Sequence, residues 1–259
     1  MIESLNSPHV ARVKALIGSR GVKERKAAGQ FVAEGLQCAR EALNSSSGPR
    51  IGTLYLTNNG RSKVEEVSDL SAIDVVDVSD EVMKEMSETI TPQGILAVCK
   101  IPQVSLDSIQ LNGSRRFIYL SEVQDPGNAG TILRSADAFA MDAVIASPGS
   151  VDMYSPKVVR STAGSLWHIP VFESVSIDEV LAMGVNAFSL GAEGSKSLSQ
   201  YQMSGDTVAI FGNEARGLST VQKVDSIGVV SIPMPGNAES LNLSAAASIV
   251  MYHLSNMRP

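Results

Sequence analysis

Three stretches of the 259-residue chain gather glycine, proline, amides and carboxylates directly after apolar runs. The first reads Leu120-Ser-Glu-Val-Gln-Asp-Pro-Gly-Asn128-Ala-Gly130-Thr-Ile-Leu-Arg134. Pro126-Gly127 predicts a turn, Asn128 a helix cap, and Gly130 a first turn lacking one side chain. Arg134 then falls about one and a half turns into a helix whose N-terminus would attract phosphate. The second stretch is Phe211-Gly212-Asn213-Glu214-Ala215-Arg216-Gly217. Gly212 permits close approach of a ligand to the backbone, and Glu214 could satisfy a helix terminus or hold a cationic group. The third is Ile232-Pro-Met234-Pro-Gly236-Asn-Ala-Glu-Ser240-Leu-Asn242-Leu-Ser244, a proline-rich loop running into three small polar residues. Taken singly, Asn128 reads equally well as a cap, Arg134 as a surface arginine, and Gly212 and Gly236 as turn residues. Taken together, three such loops at one edge of one sheet would converge on a single pocket.

The surrounding pattern supplies that sheet. Phe117–Leu120, Ala143–Ala146, Ala187–Leu190, Val208–Phe211 and Val229–Ile232 are short apolar runs of the kind that form buried parallel strands. A long helix is predicted from about Leu241 to Asn256. Residues 1–101 form a separate α/β module. Ser7-Pro8 opens a helix carrying Val10, Val13, Leu16 and Ile17 at helical spacing, with Gly18 or Gly21 to end it. Strands follow at Phe31–Gly35, Ile51–Leu56, Ile73–Val78 and Gly94–Ile101, with a helix through Ala42-Leu43. Residues 102–114 lack a clear period and read as a linker, leaving 115–259 as the second domain.

Composition narrows the chemistry. Hydrophobic residues at 44% and charged residues at 19% are those of an ordinary globular protein. Cys38 and Cys99 form no CxxC pair, and His9, His168 and His253 are scattered, so no metal site is expected. His168 precedes Ile169-Pro170 and reads as structural. There is no GxGxxG fingerprint, no P-loop and no Ser-His-Asp arrangement. The start of the chain does not resemble a signal peptide and no run spans a bilayer, so a cytoplasmic protein without membrane contact is expected. Charge is divided unevenly. Residues 1–50 hold eight bases against four acids, +4 net, whereas the whole chain is −6. A basic module on an acidic body suits contact with a polyanion, with Arg12, Lys14, Arg20, Lys23, Arg25 and Lys26 as its candidates. Met83, Met86 and Met251 read as core. Packing also accounts better than base stacking for Tyr119, Tyr154, Tyr201 and Trp167.

GNAGTILR, FGNEARG and IPMPGNAESLNLS resemble, in order and separation, the three motifs of the SpoU (TrmH-type) RNA 2′-O-ribose methyltransferases. SPKVVRSTAGSLWHIPV, between the first two, is also typical of the family. SPHVARVKALI, AGQFVAEGLQCAREAL and TPQGILAV resemble the substrate-binding domain often fused ahead of the catalytic one, so the likeness covers nearly the whole chain. It implies a small ribosomal-protein-like α/β domain followed by an α/β trefoil-knot domain, one of the rare exceptions to unknotted topology. It also implies S-adenosylmethionine held by Gly212, Ile232 and Leu241, with Leu190, Gly191 and Met234 nearby. The implied assembly is a homodimer in which Asn128 and Arg134 approach the partner's cofactor pocket. Two positions depart from the family pattern: Glu122 stands where aspartate is common, and SLNLS where SLNVS is common.

The reaction so implied is in-line attack of a ribose 2′-oxygen on an activated methyl group, which calls for alignment and a destination for the proton rather than a metal. The resemblance casts Arg134 as the base. A guanidinium stays protonated in proteins, so an electrostatic clamp on the substrate phosphate and developing alkoxide suits it better, with phosphate or water taking the proton. Asn128, Glu214, Ser240 and Asn242 would orient the ribose and support the loop walls. The fused domain favours ribosomal RNA over tRNA. A non-catalytic RNA-binding protein that retains the knot is the alternative, against which the intact Asn128, Arg134, Glu214 and Asn242 stand.

Overall fold

The structure, a computed structural model, describes residues 1–191, 194, 196–202, 205–213 and 228–257. Its contacts divide the chain into two units, Met1–Gln103 with Tyr154–His168, and Val104–Met153 with Ile169–Pro259.

The first unit contains α1 (Pro8–Ile17), α2 (Gly21–Ala28), β1 (Gln30–Glu34), α3 (Leu36–Asn44), β2 (Ile51–Leu56), α4 (Asn58–Glu65), β3 (Val75–Asp77), α5 (Asp80–Met86), β4 (Ile95–Lys100) and α7 (Pro156–Ser161). Its four strands lie in the order β1-β4-β2-β3, antiparallel except for β2 with β3. The Ser7 hydroxyl accepts from the His9 N–H and Pro8 occupies the first turn of α1, so the helix starts where the sequence predicts. Val10, Val13 and Leu16 of α1 meet Val82, Met83 and Met86 of α5 over Val32, Leu96, Val98 and Tyr55 of the sheet. On the opposite face Phe31 stacks against Tyr154 and Trp167, with ring centroids 5.0 and 6.1 Å apart. Trp167 is buried, and its indole N–H donates to the Pro49 carbonyl at 2.9 Å. The His168 Nε2 lies 3.2 Å from Glu41, in keeping with a structural role. Tyr154–His168 thus fold with the first unit although the chain on either side of them folds with the second. No local periodicity announces this, because the packing that decides it joins residues more than a hundred positions apart.

The second unit contains β5 (Arg116–Leu120), α6 (Pro126–Ala138), β6 (Ala143–Ala146), β7 (Val171–Phe172), α8 (Ile177–Ala182), β8 (Asn186–Leu190), β9 (Lys196–Ser197), β10 (Thr207–Phe211), β11 (Gly228–Ser231) and α9 (Leu243–Ser255). Seven strands, all parallel, run in the order β7-β6-β5-β10-β8-β11-β9. β5, β6 and β10 are buried at every residue, which is why they read as continuous apolar runs. Phe117, Tyr119, Ile145, Val208 and Ile210 form one face with Ile177 and Val180 of α8. α6 and α9 pack on one another and reach β6 and β10 respectively. β7 and β9, two residues each, are too short to leave a pattern in the sequence. No helix among the described residues is long and apolar enough to cross a membrane.

The stretch predicted as a linker is instead fastened to the second unit. Leu106 and Ile109 pack on its core, and Asp206 accepts from the backbone N–H groups of Asn112, Gly113 and Arg115 at 3.4, 3.0 and 2.8 Å. Burial alone would raise the Asp206 carboxyl, but these donors and the nearby Arg116 hold it below its ordinary value. A depressed folded-state pKa contributes stability above the unfolded value of about 4 and loses it as pH falls through the lower folded value. Asp206→Asn is therefore expected to cost on the order of 1 kcal/mol at neutral pH, after solvent screening. Urea titrations should show that deficit at about pH 7 and its shrinkage below about pH 4; an equal deficit at both would rule out the carboxylate as its source.

Candidate active site

Parallel pairing sends the C-terminal ends of all these strands to one edge, and the chemistry-bearing loops leave from there. β5 runs into Ser121–Asp125 and then α6. The sequence pattern puts the helix cap at Asn128, but the cap is Asp125, whose carboxylate accepts from the Asn128 N–H at 2.7 Å. Pro126 supplies the first helical residue and starts α6 three positions sooner. Asn128 thereby sits within the first turn, and Arg134 becomes the ninth residue of the helix, more than two turns in.

Glu122 occupies the left-handed region, with φ 52°, which costs a side chain with a Cβ. Its N–H donates to the Ser147 hydroxyl and its carbonyl accepts from Asn213 Nδ2, both at 2.8 Å. Ser121 N–H donates to the Phe211 carbonyl at 2.8 Å, and Ser147 N–H to that of Leu120 at 2.9 Å. The loop after β5 is therefore tied to the loops after β6 and β10, and the side chain of Asn213 carries one of those ties.

In the loop after β11, Asn242 caps α9. Its Oδ1 accepts from the N–H groups of Ser244 and Ala245 at 2.9 and 3.3 Å. Both are donors, so the oxygen assignment is fixed, and the other end of the amide must donate. It does so to Asn128 Oδ1 at 3.0 Å. This leaves Nδ2 as the donor end of Asn128. A second cross-helix bond joins Ser135 of α6 to Ser248 of α9 at 2.8 Å.

Together these loops and the end of β8 line one cavity of about 620 Å³, within the size range of sites for small ligands. Among the predicted residues it is lined by Asn128, Leu190, Gly191, Gly212, Ile232, Met234, Ser240, Leu241 and Asn242. Asp125, Phe211, Asn213, Glu239, Leu243 and Ala246 complete it. The Asp-Pro pair was a readable cap signal for Asp125; Asn213 gave none beyond its place after Gly212. A Cβ at Gly191 would meet Val229 Cγ1 at 2.9 Å, so a side chain there would have to displace Val229. Two candidates are not among the lining residues. Arg134 is exposed on α6, and Glu214 lies outside the described residues. In the first unit, Arg12, Lys14, Arg20, Lys23 and Lys26 are exposed, whereas Arg25 is buried, its guanidinium donating to the Leu16 carbonyl. Arg25 therefore serves the α1–α2 junction, a correction to its expected place on the basic surface. No cluster of His, Cys, Asp and Glu suited to a metal ion occurs among the described residues.

Residues 115–252 match the SpoU rRNA Methylase family, and residues 8–97 the MRM3-like substrate binding domain. The chain belongs to the SpoU rRNA Methylase family. It is 34% identical over 236 residues to the 23S rRNA (guanosine(2553)-2′-O)-methyltransferase RlmP of Bacillus subtilis, covering 90% of this chain and 91% of the relative. Among solved structures it superposes on the AdoMet-bound rRNA methyltransferase of Sinorhizobium meliloti with a TM-score of 0.85. Identity there is 27%, with 98% of this chain and 97% of the other covered. The SpoU methyltransferase AviRb of Streptomyces viridochromogenes, in complex with AdoMet, gives a TM-score of 0.86 at 27% identity, with 97% and 98% covered. The cavity of this SpoU chain thus lies where three separated sequence motifs meet.

The two functions of Asn242 can be separated. Asn242→Asp keeps an oxygen for the cap but loses the donor to Asn128; Asn242→Ala loses both. Thermal or urea unfolding should show Ala costing about 1–2 kcal/mol and Asp distinctly less. Equal losses would mean that the cap contributes little.

Proposed function

We propose that this chain transfers a methyl group from S-adenosylmethionine to a ribose 2′-hydroxyl of RNA, with ribosomal RNA as the substrate. The observation that carries the reading is the convergence of all three family motifs on one cavity, coupled through the Asn128–Asn242 hydrogen bond. The similarity to RlmP and to AdoMet-bound SpoU structures supports both the reaction and the RNA class.

The cavity suits the cofactor chemically. Leu190, Ile232, Met234 and Leu241 offer apolar surface to a purine, while the backbone at Gly212 offers hydrogen-bonding groups unobstructed by a side chain; the Gly191 N–H is already given to the Val230 carbonyl at 3.1 Å. The carboxylates of Asp125 and Glu239 offer negative charge to a cationic ligand. When bound, S-adenosylmethionine supplies a methyl group already activated on a sulfonium centre. The protein then has to align the acceptor oxygen and accommodate its proton. Asn128, with its donor end fixed by Asn242, orients the ribose; Ser240 supports the same wall. Arg134 holds the substrate phosphate and the developing alkoxide, and a phosphate oxygen or water accepts the proton.

Arg134 does not line the cavity of its own chain, in keeping with a homodimer in which it is delivered to the partner's site. The exposed Ile249 and Tyr252 on α9, beside α6, support such an assembly. In this reading residues 115–259 are the methyltransferase domain, with the C-terminal segment drawn through a knot, and residues 1–101 bind RNA through Arg12, Arg20, Lys23 and Lys26. In this reading the enzyme works in the cytoplasm, in keeping with its bacterial rRNA methyltransferase relative.

Ribosomal and transfer RNA from cells lacking the gene, incubated separately with protein and S-adenosylmethionine, test the reading by nucleoside mass spectrometry. A new 2′-O-methyl nucleoside is expected in the rRNA digest. Methylation of neither RNA, together with failure to bind S-adenosylmethionine, would overturn catalysis in favour of RNA binding alone. Arg134→Ala is expected to lower turnover about 100-fold with cofactor affinity retained; near-normal turnover would remove the clamp.

A further inference from the structure

Several cations of the first unit are neutralised by carboxylates. Lys14 pairs with Glu85, Arg40 with Glu41, and Arg61 with both Asp77 and Glu65. Arg12, on the same helix as Lys14, is treated differently. Its Nε and Nη2 donate to Gln30 Oε1 at 3.3 and 2.7 Å. An amide oxygen orients a guanidinium but cancels none of its charge. Among the described residues no carboxylate lies within ion-pair distance of Arg12.

Gln30 also locates a second cation. In the antiparallel register of β1 with β4 it stands directly opposite Lys100, and residues so paired project from the same face of a sheet. That face is the one carrying Val32, Val98 and α1. Lys100 is exposed and, among the described residues, has no acidic partner. The N–H of Ile101 donates to the Gly29 carbonyl at 2.8 Å, which brings the end of α2, with exposed Lys26, to the same corner. One turn before Arg12, half-buried His9 places Nδ1 3.0 Å from the Tyr55 hydroxyl, so its Nε2 lies on the ring's other edge. Asp74, beside β2, is engaged by the Thr53 hydroxyl at 3.2 Å.

We propose that Arg12, Lys100 and Lys26, gathered around Gln30, form the part of the first unit that grips the RNA backbone, with His9 at its margin. The inference rests on the reading of this chain as an RNA enzyme and gives that reading a location. It assigns Lys100, remote in sequence from the basic N-terminal cluster, a role equal to that of Arg12. It also withdraws Lys14, whose charge Glu85 already engages. The guanidinium fork is held before RNA arrives, so little of its freedom remains to be lost on binding.

Filter binding of the full-length protein to 23S rRNA from cells lacking the gene, across about 50 to 200 mM salt, is the test. Arg12→Gln and Lys100→Gln are each expected to weaken binding several-fold and to reduce the salt slope by about one. The double variant should lose more than either, and Lys14→Gln should resemble the parent. All three sites are exposed, and circular dichroism checks that the variants remain folded. A parent that binds with a salt-dependent affinity shared by Arg12→Gln and Lys100→Gln would overturn the location while leaving the RNA reading intact. A parent that does not bind the rRNA would overturn both. Displacement of bound rRNA by polyglutamate at equal charge would replace RNA with an acidic protein as the ligand.

Discussion

The side-chain amide of Asn242 joins two of the loops that line the active site. One end is committed to the start of α9 by two backbone donors, and that commitment forces the other end to donate to Asn128. Two helices that begin more than a hundred residues apart are thereby set at a common height, and the donor end of Asn128 is decided without reference to any ligand. A cavity wall built in this way is organised before substrate arrives, which is what a reaction governed by alignment requires.

The sheet beneath makes this economical. Strands buried on both faces leave their backbone ends as the place where polar groups can gather, and parallel order sends all of those ends one way. The strain at Glu122 belongs to the same scheme. Its left-handed backbone reverses the chain directly after β5, and Ser147 and Asn213 from two neighbouring loops hold the reversal in place. Aspartate or asparagine adopts that conformation more readily than glutamate, so this chain keeps the turn through its neighbours rather than through its own residue type.

Much of this was legible in the sequence. Ile51–Leu56 and Ala143–Ala146 match their strands residue for residue, because an apolar run and its flanking turn signals are local facts. The three loops were legible because glycine, proline and amides cluster only where the backbone has unusual work to do. The cap at Asp125 was obscured by the more familiar look of Asn128, and only the helix start set by Pro126 decides between them. Arg25 reads as one more base in a basic stretch until the Leu16 carbonyl is found against it. Trp167, Tyr154 and the pairing of Gln30 with Lys100 depend on which distant segments meet, and no window of residues contains that information.

The division of the chain has a consequence for its biogenesis. The first unit takes residues 1–103, gives up the chain, and takes it back for Tyr154–His168. A ribosome releasing about 5–20 residues per second has therefore exposed β5 and β6 before the aromatic residues that close the first unit emerge. β5 waits longer still, since its neighbour β10 is made only at Thr207–Phe211. During that interval an apolar strand carries an unpaired edge, the feature that most readily recruits a wrong partner. Order of synthesis and order of completion thus diverge in this protein, and a nascent chain halted between residues 120 and 207 is the form most dependent on a chaperone.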